Sequence, residues 1–242
     1  MAELFGFKFG RATDTKSQEK FTVPPAEDGA VEIAGGGFFG QVLDTDGRER
    51  SEVDLIRRYR EVSQQPECDS AIEDIVNEAV VSNEKDQAVS IELDRLDYPK
   101  SIKNKIRAEF DHILTLLDFD VKGHDIFRRW YIDGRIFYHK VIDKKNPKKG
   151  IVEVRYIDPK KIRKVRQINK DTKPGTSLEM VTSVADFFLY NDKGLNSGAL
   201  SEGLKITDDS ITYVPSGLID QNKGHVLSHL HKAIKPVNQL RM

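Results

Sequence analysis

Apolar positions recur along this chain in two periods, and the change from one to the other organises it. From Ser51 the period is helical: Leu55, Ile56, Tyr59 and Val62 share a face, Ser51-Glu52-Val53-Asp54 has the form of a capping box, and Pro66 interrupts. Ile72, Ile75, Val76, Ala79 and Val80 predict a second helix. Pro99 opens a third, whose Ile102, Ile106, Phe110, Ile113 and Leu117 form a stripe expected to face the core. Between these helices Val89, Ile91 and Leu93 alternate with Ser90 and Glu92, which predicts a short strand. An aromatic helix then runs to Gly134, and there the period falls to two. Arg135 to Ile142 and Ile151 to Ile157 read as a hairpin, with Pro147 and Gly150 breaking the ladder between them.

Past the hairpin, Asp158-Pro159 predicts a turn leading into a basic segment. Residues 167 to 183, with Pro174-Gly175, read as a polar connector, and Val184 to Tyr190 as a strand. Leu204 to Thr207 and Ser210 to Val214 read as a second hairpin turning at Asp208-Asp209. A helix is expected around Val226 to Ile234, broken at Pro236. Helices first and hairpins after is the order of an α+β fold.

Residues 1 to 50 carry little pattern, only Pro24-Pro25, Gly35-Gly36-Gly37 and scattered charge, so they are expected to form a flexible arm before a domain spanning 51 to 242. Phe5, Phe7, Phe9, Phe38 and Phe39 are apolar beads suited to docking on a neighbour or tucking onto the chain's own core. At the other end Val237, Leu240 and Met242 begin an apolar pattern that stops before a helix cap, so the expectation is a truncated terminus.

Charge changes the picture little. Lys and Arg total 38 against 39 Asp and Glu, so there is no basic surplus of the kind phosphate neutralisation asks for, and any contact with nucleic acid should be local. The single cysteine, Cys68, forbids an internal disulfide and fits a reducing compartment. The first ten residues hold no long apolar run, and no window reaches the roughly 20 apolar residues of a membrane span. An intracellular or particle-associated protein is the expectation.

Candidate chemistry is thin. Cys68 has no basic partner nearby in sequence, and the Gly35-to-Gly40 run lacks the Gly-Lys-Ser/Thr ending of a phosphate loop. His225 and His229 stand four apart, a spacing that chelates metal from a helix face, but the glutamate of a zinc protease motif is missing and spacing supplies no third ligand. Asp143, Glu153 and Arg155 approach a metal-dependent nuclease pattern, with arginine standing where a lysine is needed; arginine hardly ever loses its proton. Ordinary alternation along a hairpin also yields such pairs. The basic residues Lys160, Lys161, Arg163, Lys164 and Arg166 are either a solvated helix face or a patch near phosphate or an acidic neighbouring subunit, such as one presenting Glu73, Asp74 and Glu78. Phe137 and Tyr138 could stack on bases, though burial explains them more cheaply.

Four segments carry a resemblance: Ile72 to Ala79, Asp125 to Arg166, Ile211 to Leu218, and Ser228 to Leu240. In this order they resemble the portal vertex proteins of contractile-tailed bacteriophages, over the chain from about Ser51 to its end. The resemblance implies a wing-like α+β domain lacking the stem, clip and crown of the family. It implies a structural subunit without catalytic site, cofactor or small-molecule substrate, at the capsid vertex of the virion and in the host cytoplasm during assembly. The implied partners are further copies in a dodecameric ring, major capsid and scaffold proteins, the large terminase subunit, tail and neck proteins, and double-stranded DNA passing through the channel. A nuclease or nucleic-acid-binding module is the alternative.

Overall fold

The structure, a computed structural model, describes residues 2–4, 7–9, 28–35, 45–81, 88–172, 179–195, 203–220 and 224–240. Pro24-Pro25, Phe5, Phe38-Phe39, Pro174-Gly175 and Met242 lie outside them. Strands β1 (Ala2–Leu4) and β2 (Phe7–Phe9) pair antiparallel, and β3 (Val31–Gly35) follows. Helices α1 (Thr45–Ser63), α2 (Pro66–Ala79), α3 (Lys100–Leu117) and α4 (Phe119–Asp133) come next. Then come β4 (Arg135–Ile142), β5 (Ile151–Ile157), β6 (Ile162–Thr172), β7 (Glu179–Tyr190), β8 (Leu204–Thr207) and β9 (Ile211–Pro215), with α5 (Ile234–Leu240) last. The expected α+β class holds, helices before antiparallel ladders.

Among the described residues, three apolar clusters hold the layers together. The helical one joins Tyr59 of α1, Ile72 and Val76 of α2, Ile132 of α4, and Leu230. A second lies in the sheet ordered β3-β6-β7-β8, where Ile33, Val165, Phe187 and Leu189 meet. A third joins that sheet to the sheet ordered β5-β4-β9, through Phe137, Ile162, Phe188 and Ile211. Phe137 stacks on Tyr213, with ring centroids 4.6 Å apart, and meets Phe188 edge to face. Its aromatic neighbours are thus core partners, as burial on a two-residue period requires.

The expected hairpin of β4 and β5 forms in register from Phe137↔Ile157 to Ile142↔Ile151, with a short 3₁₀ turn at Pro147–Lys149 and Gly150 at a φ of 74°. Gly134 ends α4 as expected, at a φ of 71°. A Cβ there would lie 2.6 Å from the Leu227 carbonyl oxygen, so backbone packs where a side chain would stand.

Elsewhere the fold departs from the pattern. Helix α1 begins at Thr45, so its start is not at the expected capping box from Ser51; the polar Thr45-to-Arg50 stretch carries no apolar period to announce a helix. Val31–Gly35, within the expected arm, pairs in parallel with β6 and buries Val31 and Ile33. The expected strand at Val89 to Leu93 is turn and loop: alternation offers a face, but no described strand pairs with it, and Leu93 alone is buried.

Residues 167 to 183 are mostly ladder, since β6 runs to Thr172 and β7 starts at Glu179. Their solvent-facing ends are tied by polar pairs, Asn169 to Ser183 at 2.7 Å and Thr182 to Asp171 at 2.9 Å, and so lack an apolar signature. β8 and β9 are not a hairpin. β8 pairs with β7, β9 pairs with β4, and the turn Asp208–Ser210 carries the chain from one sheet to the other. The helix expected from Val226 to Ile234 is instead a bridge from Val226 to Ile219, a 3₁₀ turn at His229–Ala233 capped by Ser228, and then α5. Pro236 sits in the first turn of α5, where its missing N–H leaves no bond unmade. Finally, the α3 stripe turns inward only in part: Ile106, Phe110, Ile113 and Leu117 are half-buried, Ile102 is exposed, and no residue of the helix is fully buried.

Candidate functional site

The polar groups held most tightly lie where the three layers meet. Glu52, Ile56, Tyr59 and Ser63 fall on one stripe of α1, and all four are buried. The stripe presents a carboxylate to the core, and two arginines answer it. Arg135, the first residue of β4, donates to Glu52 Oε1 and to the Val226 carbonyl. Arg163 of β6 donates to Glu52 Oε2 through Nη2 at 2.7 Å and Nε at 3.1 Å. One helix is thereby joined to both sheets. Burial alone would push the Glu52 carboxyl up, but Arg135 and Arg163 outweigh it and hold it at about 2. A carboxylate held that low is a poor proton acceptor near neutral pH, so this group locks rather than transfers protons.

Two turns along α1, Arg60 makes a second joint of opposite polarity. Its guanidinium grips Asp133, at the end of α4, at 2.7 and 2.9 Å, and reaches Asp158, in the β5–β6 turn, at 3.0 Å. The hydrogen bonds to Asp133 raise the Arg60 pKa, and the charge is permanent. Asp158 fulfils its expected role as a turn residue, accepting from Lys160 N at 3.0 Å. Beside this joint a cleft of about 510 Å³ is lined by Arg60, Arg128, Arg129, Asp133, Tyr156 and Asp158. Its guanidiniums are already engaged: Arg128 with Asp69, and Arg129 with Asp125 at 2.6 Å and over the Tyr156 ring at 5.0 Å.

The five basic residues singled out in the sequence do not form a helix face. Ile162–Thr172 is a strand, which puts Lys164 and Arg166 on one side and Arg163 on the other. Arg163 is buried against Glu52. Lys164 lies 3.0 Å from Asp28 and 3.4 Å from Asp186, while Arg166 grips Asp186 at 2.8 Å and reaches Asp28 at 3.0 Å. Lys161 meets Asp192 at 2.9 Å, and Lys160 lies 3.7 Å from Asp158. Most of the basic segment is thus neutralised within its own chain.

The other candidates scatter. His229 stacks on Tyr131 with centroids 4.9 Å apart, and burial lowers its pKa. The His231 Nδ1 shares a 2.8 Å hydrogen bond with the Tyr59 hydroxyl, and His225 is buried near Glu52. No group of three or more His, Cys, Asp or Glu is placed to hold a metal among the described residues. Glu153 accepts from Arg155 at 2.7 and 2.8 Å, and Asp143 accepts from Lys145 N at 2.9 Å, so nothing supports a nuclease centre there. Cys68 is a half-buried free thiol in the first turn of α2, and no helix among the described residues is long and apolar enough to cross a membrane.

Glu52, Arg60, Asp133 and Arg135 were not among the site residues expected from the sequence. The signal was present for one of them: Glu52 sits in phase with Ile56 and Tyr59, and a charge on an apolar stripe demands a buried partner.

Ionic groups thus bind layer to layer in this α+β fold. Comparison with known proteins gives its family: the model for the Bacteriophage T4-like portal protein (Gp20) matches residues 52–242, and the chain belongs to that family. The match begins at Glu52 and takes in both joints. The chain is 32% identical over 238 residues to the portal protein of Vibrio phage KVP40, covering 92% of this chain and 46% of that protein. It is 29% identical over 249 residues to the portal protein of Salmonella phage ViI, covering 96% of this chain and 44% of that one. It thus spans a little under half the length of these curated relatives.

Proposed function

We propose that this chain is a structural, non-catalytic part of a phage portal: a wing-like domain in a ring of copies at the capsid vertex. The family match over 52–242 carries this reading, and the two joints, one buried and one half-buried, support it. A subunit that sits between neighbours needs a shape that does not yield, and ionic ties across three layers resist shear between them.

In this reading the ring, whose full form is dodecameric, is the conduit for DNA entering and leaving the capsid and the seat of the tail. Its partners are capsid and scaffold proteins, the large terminase subunit, tail and neck proteins, and double-stranded DNA; the subunit resides in the host cytoplasm until assembled. Of the basic segment, Lys160 and Lys161 retain enough exposure to lie near a neighbour or the DNA. Electron microscopy and native mass spectrometry of the purified chain test the proposal. Closed rings of uniform subunit number are expected, and a strictly monomeric chain at all concentrations overturns it.

A further inference from the structure

Helices α2 and α3 carry opposite charge, most of it at exposed positions: Glu67, Glu73, Asp74 and Glu78 on α2, and Lys100, Lys105 and Arg107 on α3. α2 holds Glu67, Asp69, Glu73, Asp74 and Glu78 and no Lys or Arg. It buries Ile72 and Val76. Glu67, Asp74 and Glu78, spaced i, i+7 and i+11, form a stripe on the opposite side, all exposed. The first eight residues of α3 hold Lys100, Lys103, Lys105 and Arg107 and no acid. None of these four cations, and none of Glu73, Asp74 and Glu78, joins any of the ion pairs among the described residues.

Each set is also placed against its own helix dipole. Lys100 and Lys103 stand in the first turn of α3, at the positive end, where Pro99 offers no capping side chain. Glu78 stands in the last turn of α2, at the negative end, and that turn has no basic residue. Acids brought against the start of α3 would relieve one penalty, and cations brought against the end of α2 the other. Apolar surface accompanies both: Ile75 is exposed on α2, and Tyr98 and Ile102 are exposed at the start of α3. Both helices pack on α4, and no ion pair links them within the chain.

We infer that the N-terminal half of α3 docks on the acidic face of α2 in a second copy of this chain. The two faces are different surfaces of one molecule, so the contact is head to tail. Copies repeating it use both faces at once, as a ring requires. The inference rests on the portal-subunit reading and gives it a surface. It also reassigns the partner of the acidic face, because the Lys160-to-Arg166 segment is occupied by Asp28, Asp158, Asp186, Asp192 and Glu52.

Sedimentation velocity at low salt tests it with three forms of the chain: wild type, Lys103→Glu with Arg107→Glu, and Asp74→Lys with Glu78→Lys. Wild type should associate, each variant alone should associate at least about tenfold more weakly, and raising salt should weaken wild type in the same direction. An equimolar mixture of the two variants should recover association, since the untouched acidic face of one meets the untouched basic face of the other. Recovery also shows that both variants fold. Wild-type assembly indifferent to both reversals, or no recovery on mixing, overturns the α2–α3 contact and leaves the subunit reading standing. A wild-type chain that never associates overturns both.

Discussion

Two glutamates of this chain are each clasped by arginine at about the same distance, with opposite consequences. Glu153 on β5 accepts two hydrogen bonds from Arg155, at 2.7 and 2.8 Å, and both side chains are exposed. Glu52 on α1 accepts from Arg163 at 2.7 Å and from Arg135, and all three are buried. Arg155 is two residues from Glu153, whereas Arg135 and Arg163 are 83 and 111 residues from Glu52. Hydrogen-bond length does not distinguish these pairs; burial and chain separation do. The near pair is a product of strand alternation. The distant one exists only when three layers have assembled, so it reports and enforces the fold.

The largest effect should come from breaking that asymmetry at Glu52. Glu52→Ala leaves two buried guanidiniums without their anion, and removing one member of a buried ionic group costs about 3–5 kcal/mol. Urea denaturation is expected to show an unfolding free energy lowered by that amount and a midpoint shifted down in proportion; an unchanged midpoint would mean that water reaches the joint. Acid provides the same test without mutation. The folded-state pKa of Glu52 is lowered from 4.5 to about 2, so its contribution is complete above about 4.5 and is lost as pH falls toward 2. The difference corresponds to about 3 kcal/mol. The melting temperature should fall across this window, and in Glu52→Gln that fall should be shallower.

Next in size is the backbone that aims the joint. Gly134 lies between Asp133, held by Arg60, and Arg135, held by Glu52, so one residue sets the approach of both. Gly134→Ala meets a positive φ and a carbonyl oxygen 2.6 Å from the new Cβ. A loss of about 2 kcal/mol is expected, read by the same urea titration. The Glu153–Arg155 fork, within one strand, has no such dependence.

What the sequence revealed follows the same division between local and distant. The hairpin of β4 and β5, the stop at Gly134 and the apolar face of α1 were legible, because each is written in neighbouring residues. The switch of β8 and β9 between sheets was not: Asp208-Asp209 is a good turn for a hairpin, and β9 instead pairs with β4, where Phe137, far away in sequence, stands opposite Tyr213 and packs on Ile211. The strand predicted at Val89 to Leu93 failed for the converse reason, having alternation without a partner strand among the described residues. α3 has a regular stripe that turns inward yet stays half-buried, because amphipathicity states that a face will be covered and not how completely. At the candidate site, Glu52 betrayed itself by its phase among apolar neighbours, while the basic segment misled, since charge runs do not show which acids in the folded chain already match them.

The smallest effect belongs to Glu153, and its smallness carries information. In an extended unfolded chain, residues two apart stay close, so the fork with Arg155 forms almost as readily before folding as after. Exposure to water and screening by salt remove most of what remains. Glu153→Ala, Arg155→Ala and the double variant should therefore leave the melting temperature of the isolated chain unchanged within measurement error. The more telling measurement is on assembled material. If the hairpin is free, the same substitutions leave the stability of the assembly untouched. If the assembly weakens while the lone chain does not, the fork lies against a neighbouring copy, because only burial by another molecule could give this pair the weight that Glu52 has in the core.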